Sequence, residues 1–157
     1  MESTGTDNKP LGILKGSHRI SIYYEDTDFS GYVYHANYLK FFERAREHIF
    51  GADYLRQLYE ENFHFVVANA ELRYKRPAVF GDMLEIISVA PFTTSPIIDF
   101  KQEAYIRSKG NASTDGKRPI VEANIRLVSI NQQGKPTSIP QFVLEHLINL
   151  SENPNVE

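Results

Sequence analysis

The chain has 157 residues, 41% hydrophobic and 24% charged, with a formal net charge of −3, which predicts one domain and gives no electrostatic reason to expect nucleic acid as a partner. With no cysteine, a disulfide framework, a thiolate nucleophile and Cys-ligated metals are excluded, and a cytoplasmic protein is expected. No apolar run approaches the roughly 20 residues that cross a bilayer, so no membrane insertion is expected.

Residues 1–16 read as a flexible arm: they are polar, lack the apolar core of a secretory signal, and hold Gly5, Pro10 and Gly12 before Gly16. From residue 18 to 24 the pattern alternates, with Ile20, Ile22 and Tyr24 on one face and Arg19, Ser21 and Tyr23 on the other. That is a half-buried strand. Residues 25–35 form a long loop with Gly31 near its middle. A helix follows over Asn37–Phe50, because Tyr38, Phe41, Phe42, Ala45 and Ile49 recur at helical spacing, and Gly51 stands where a C-cap would end it. A short second helix fits residues 53–61, with Tyr54, Leu55 and Leu58 inward.

Four strands are expected next. Ala68, Ala70, Leu72 and Tyr74 share a face in the first, and the second covers residues 84–90. After a turn at 91–96, Ile98, Phe100, Gln102, Ala104 and Ile106 share a face in the third. After a polar loop at 110–119, Val121, Ala123, Ile125 and Leu127 share a face in the fourth. A final helix fits residues 140–150, with Pro140 suited to its first turn and Val143, Leu144, Leu147 and Ile148 apolar. Strands in close succession favour antiparallel pairing, and one long helix against them gives an α+β layer. Ten Phe and nine Tyr with no Trp predict a core rich in large planar groups.

The chemistry concentrates in residues 23–38, at the join between the first strand and the long helix. Three carboxylates, one histidine and five tyrosines gather there. The first N–H groups of a helix lack intrahelical partners and carry partial positive charge, so a developing oxyanion can sit beside them. On spacing alone Asp28 reads as a loop or cap aspartate, and Asp26 as an acceptor for the loop backbone. His35 alone reads as structural. Tyr24 continues the Ile20–Ile22 face and reads equally as core or as a site residue.

The run Y-Y-E-D-T-D-x-x-G-x-V-Y-H-x-N-Y-L-x-F-x-E-R-A-R over residues 23–46 resembles the signature of the hot-dog-fold acyl-CoA thioesterases, in the branch of 4-hydroxybenzoyl-CoA thioesterase and the YbgC-type short acyl-CoA hydrolases. The resemblance implies a hot-dog fold over residues 17–150, an antiparallel sheet wrapped around the long helix, with residues 151–157 as a tail. It implies acyl-CoA hydrolysis, with Asp28 as nucleophile or general base and His35 and Tyr24 as its companions. His35 would position substrate or water, and its N–H would face the oxyanion. Gly31, Tyr34 and Tyr38 would contact substrate. Aromatic side chains, including Tyr32 and Phe41 and a partner's Phe63 and Phe65, would restrict the acyl pocket to short-chain or aromatic groups. No cofactor and no metal are expected, and the family implies a homodimer or homotetramer.

Glu43 is the rival carboxylate, matching the helix glutamate of a different hot-dog branch; it reads as a helix-face ion pair or a buried structural acid. Phosphates of coenzyme A need cations, and Lys75, Arg76, Arg107, Lys109, Lys117 and Arg118 are the candidates. The turn at 92–96, often basic in relatives, here carries no charge, which leaves room for acyl carrier protein as the carrier. The alternatives are a non-catalytic acyl or acyl-carrier-protein binding module on the same fold, or a dehydratase, for which no further motif is present.

Overall fold

The computed structural model describes residues 9–109, 112–113 and 116–154. Strand β1 (Gly12–Ser21) leads through a single 3-10 turn (Tyr24–Asp26) and a loop into helix α1 (Asn37–Phe50) and helix α2 (Ala52–Glu60). Strands β2 (His64–Tyr74), β3 (Asp82–Phe92), β4 (Ile97–Lys109), β5 (Ala112–Ser113) and β6 (Val121–Ile130) follow, then helix α3 (Gln141–Glu152). The strands form one antiparallel sheet in the order β1-β3-β4-β6-β2, with the two-residue β5 added to β4. This is the α+β arrangement the sequence pattern predicts.

The first strand starts earlier than its alternation predicts. Residues 12–16 belong to β1 rather than to an arm, and residues 1–8 lie outside the described residues. Leu14 is fully buried, and Gly16 is there for close approach: a Cβ at that position would stand 2.5 Å from Cγ1 of Ile49 on α1. A glycine read as a breaker is therefore the place where strand and helix touch. At the other end, β1 stops at Ser21, so Tyr24 does not extend its inward face. The expected turn at 91–96 also shortens, because β3 continues to Phe92. Its pairing with β4 ends at Val89, and Pro91 sits beyond that doubly paired stretch, where a missing N–H is tolerated. Within the expected polar loop at 110–119, Ala112 and Ser113 pair with Lys109 and Ser108. Helix α3 runs to Glu152, into the expected tail.

Helix α1 is buried along one face by Tyr38, Phe41, Phe42, Ala45, Ile49 and Phe50. The alternating inward residues of β3, β4 and β6 close around it, among them Leu84, Ile86, Ile98, Phe100, Ile125 and Leu127. Each large apolar side chain so enclosed contributes roughly 1.5–3 kcal/mol. Phe63 and Phe65 pack against this core within the chain: their rings contact each other at 5.2 Å, and Phe65 stacks on Phe50 at 5.5 Å.

One polar cluster crosses the interface. Arg46 on the buried face of α1 donates to Oε1 of Gln102 at 2.8 Å, while Nε2 of Gln102 donates to the Phe42 carbonyl at 3.0 Å and to Oγ of Ser88 at 2.9 Å. Burial lowers the Arg46 pKa, with Glu43 opposing that shift. Gln102 is thus the acceptor of a buried cation and the link between helix and sheet. Gln102→Leu should destabilise the fold by about 2–4 kcal/mol, because it leaves the guanidinium without its acceptor. The double variant Gln102→Leu with Arg46→Met should be more stable than the single one, since no unpaired cation remains. Urea unfolding of the wild type, Gln102→Leu and the double variant checks this; a double variant no more stable than Gln102→Leu would contradict it.

Candidate active site

The loop between β1 and α1 is folded tightly on itself. The Tyr23 amide donates to Oδ2 of Asp26 at 2.8 Å, and the Asp26 carbonyl accepts from the Tyr34 amide and from Nδ2 of Asn37, each at 2.9 Å. Asp26 therefore ties the start of α1 back to the loop, the structural role its position predicts. Thr27 bridges to Val33 and Tyr32 to Val79, and the Val33 amide donates to the Ala78 carbonyl at 2.9 Å. The resulting tight hairpin turns at residues 28–31. Gly31 has φ +83°, and an added Cβ would meet nothing within 4 Å. Glycine is required there by backbone conformation and not by crowding.

Asp28 sits at the start of that turn. Its Oδ1 accepts from the Ser30 amide at 2.8 Å and from the Ser30 hydroxyl at 2.5 Å. These two bonds, the hydroxyl's first, hold the Asp28 pKa below its ordinary value, and the nearby His35 adds to the effect. The carboxylate is exposed in the single chain, and these hydrogen bonds leave Oδ2 available.

Asp28, Ser30, Tyr32, Val33, His35 and Tyr38 meet the end of β2 and its continuation, Tyr74, Lys75, Arg76 and Pro77, around a cleft of about 360 Å³. The His35 carbonyl accepts from the Tyr74 hydroxyl at 3.0 Å, and the two rings meet edge to face at 6.1 Å. Tyr74 thereby anchors the residue ahead of α1 to the sheet. Among the described residues nothing accepts a hydrogen bond from the His35 or Ala36 amide, whereas the Asn37 amide is taken by the Tyr34 carbonyl. Two donors at the entrance to a helix remain for an oxyanion. The Tyr38 hydroxyl is buried without a hydrogen-bond partner among the described residues. Burial pushes this phenol up to about 12, against the pull of the Ala78 backbone, so it stays protonated.

The structure thus brings Asp28, His35 and Tyr38 to one cleft, with Gly31 shaping the turn beside it. Tyr24 and Tyr34 do not line it. Tyr24 opens the 3-10 turn, is 79% exposed and meets only the edge of Phe80, at 6.2 Å among the ring contacts described; Tyr34 packs its ring on His35 at 4.7 Å. Phe41 is core. Glu43 is exposed on α1, neither buried nor at the cleft. Sequence reasoning missed Ser30 and Tyr74. The first had a signal, since Asp-x-Ser-Gly is a turn in which side chains bond the local backbone. Tyr74 ended an alternating face, and nothing local tied it to residue 35.

The comparisons with known proteins identify the family and the fold. Residues 23–147 match the model of the thioesterase-like superfamily. The acyl-CoA thioesterase YbgC of Helicobacter pylori (strain ATCC 700392 / 26695) is 34% identical over 132 residues, 82% of this chain and 97% of that protein. The crystal structure of a probable thioesterase from Bartonella henselae is 31% identical and superposes with a TM-score of 0.59, over 81% of this chain and 99% of its own. A 1,4-dihydroxy-2-naphthoyl-CoA thioesterase from Synechocystis, 19% identical, matches the fold with a TM-score of 0.74 over 89% of this chain and 99% of its own. The chain belongs to the thioesterase-like superfamily and is a thioesterase built on the hot-dog fold.

Proposed function

We propose that the chain hydrolyses acyl-CoA thioesters at the cleft of Asp28 and His35. The observation that carries this reading is the pairing of a carboxylate, held by Ser30 with one oxygen left over, with the uncommitted amides at the start of α1. The name of the Helicobacter relative supports coenzyme A as the carrier. The thioester carbonyl oxygen would take the His35 and Ala36 amides, and its carbon would face Oδ2 of Asp28.

Two routes balance. In one, Asp28 attacks the carbonyl carbon, the C–S bond breaks, the thiolate leaves, and water hydrolyses the resulting anhydride to the free acid. In the other, Asp28 takes a proton from water as that water attacks, and the proton passes to the departing sulfur. The hydrogen bonds from Ser30 keep Asp28 ionised, which both routes require. In heavy-oxygen water, label found in Asp28 after repeated turnover identifies the anhydride route, with water attacking the Asp28 carboxyl carbon; the general-base route leaves Asp28 unlabelled. Tyr24, outside the cleft, is given no step. Tyr32, Tyr38 and Tyr74 wall the cleft and favour short-chain or aromatic acyl groups.

The exposed carboxylate also needs a cover to exclude water. Strand β2 is a sheet edge with all its residues exposed or half-exposed, including Val66 and Val67. Such an edge invites pairing. The chain would form a homodimer through β2, whose last residue, Tyr74, lines the cleft, and dimers could pair into a homotetramer. Light scattering should report at least a dimer; an active monomer would contradict this.

Asp28→Asn should lower kcat by at least about 10²-fold with the fold retained, assayed as thiol released from acyl-CoAs from acetyl to palmitoyl and from benzoyl-CoA. Near-wild-type turnover, or an inactive Glu43→Gln, would overturn the assignment of Asp28. The same carboxylate sets the acidic limb of the pH profile. Asp28 acts ionised, and its pKa is depressed, so activity should persist above that pKa and fall as pH drops through it. Ser30→Ala removes the largest cause of the depression, and its acidic limb in kcat/KM should move to higher pH. An unmoved limb would show that another group governs it.

A further inference from the structure

The basic residues near the strand ends divide into two sets. Lys75 is paired with Glu122 at 2.9 Å, and Arg107 is held by Glu85 at 3.0 and 2.8 Å and by the Gly116 carbonyl at 2.9 Å. Arg76, Lys109, Lys117 and Arg118 line a second cavity, of about 680 Å³, together with Pro77, Ile106, Gly116 and Ile120. Its described lining includes no carboxylate, although the chain as a whole carries a net charge of −3. The four cations are therefore a local concentration and not a reflection of general composition.

This cavity adjoins the cleft of Asp28, because Arg76 and Pro77 line both. The strand register shows why. Tyr74 at the end of β2 pairs with Val121 at the start of β6, Val121 pairs with Ala104, and Lys109 at the end of β4 pairs with Asp82 at the start of β3. All of these lie at one end of the sheet. The uncharged turn at 93–96 lies at the other, where the Thr94 carbonyl accepts from the Ile139 amide at 3.0 Å. The basic wall is also built in: the Arg76 and Lys75 amides donate to the Ile120 carbonyl at 3.2 and 2.8 Å, and the Arg76 guanidinium donates to the Arg118 carbonyl at 2.9 Å.

We propose that this second cavity holds the phosphorylated nucleotide end of coenzyme A while the thioester lies at Asp28, the pantetheine arm crossing Arg76 and Pro77. Phosphate oxygens meet Arg76, Lys109 and Arg118, and the adenine lies on the apolar floor of Ile106, Ile120 and Pro77. A concave, cation-lined pocket suits a compact polyanion better than the broad acidic face of a carrier protein. The inference rests on the hydrolytic reading above and specifies the carrier for it.

The test compares an acyl-CoA with the same acyl group on N-acetylcysteamine, a thioester without the nucleotide. Lys109→Ala with Arg118→Ala changes exposed side chains outside the Asp28 cleft. It should raise KM for the CoA ester roughly tenfold or more, with kcat kept, and leave the truncated ester's KM unchanged. Adenosine 3′,5′-bisphosphate should bind the wild-type protein by calorimetry and lose that binding in the double variant. Equal effects on both esters, no effect on the CoA ester, or a KM rise confined to acyl carrier protein substrates would each overturn the proposal. Hydrolysis of the truncated ester by wild type and its loss in Asp28→Asn report separately on the hydrolytic reading, and calorimetry reports on the nucleotide site whatever the activity.

Discussion

Burial of one face of α1 against the curved sheet is the constraint on which the rest depends. Phe41 and Phe42 are almost wholly enclosed, Gly16 lets β1 come up to Ile49, and Gln102 clips the helix backbone to β4. A helix held this way has no freedom to slide. Its N-terminus, tied to the loop through the Asp26 carbonyl, is a fixed point from which Asp28 is suspended a few residues upstream. Tyr74 fastens the same point to the end of β2. Packing energy far from the chemistry thus becomes positional accuracy at the cleft.

The electrostatics of the site follow from local turn chemistry more than from burial. Asp28 lies open on a tight turn, and its acidity comes from two hydrogen bonds made by its near neighbour Ser30. The carboxylate is ionised and oriented before any substrate arrives, which is the condition for it to act without reorganisation. Arg46 shows the opposite regime: a cation forced into the core, where one amide oxygen is its hydrogen-bond acceptor. One group depends on geometry within a hairpin, the other on a contact between residues 56 positions apart.

Much of this was legible in the sequence because the signals were local or periodic. The helical spacing of Tyr38, Phe41, Phe42, Ala45 and Ile49 predicts α1 with the bounds it has. The inward face of β4 was readable with Gln102 in it. That polar residue in an apolar row, and Arg46 on a helix face between Phe42 and Ile49, were two halves of one contact, and alternation alone could not join them. Tyr24 was misread because alternation through Ile20 and Ile22 continues past the true end of the strand. Residues 12–16 were misread because glycine marks both breaks and close approaches. The density of residues 23–46 points to the candidate site; which of its tyrosines face the cleft depends on how the hairpin folds back, which no spacing encodes.

The most direct test of the account is a crystal structure of Asp28→Asn with a non-hydrolysable thioether analogue of an acyl-CoA. The account predicts the acyl carbonyl against the His35 and Ala36 amides, with its carbon facing the side chain at position 28. An analogue bound with its carbonyl beside Glu43, or away from the start of α1, would contradict it.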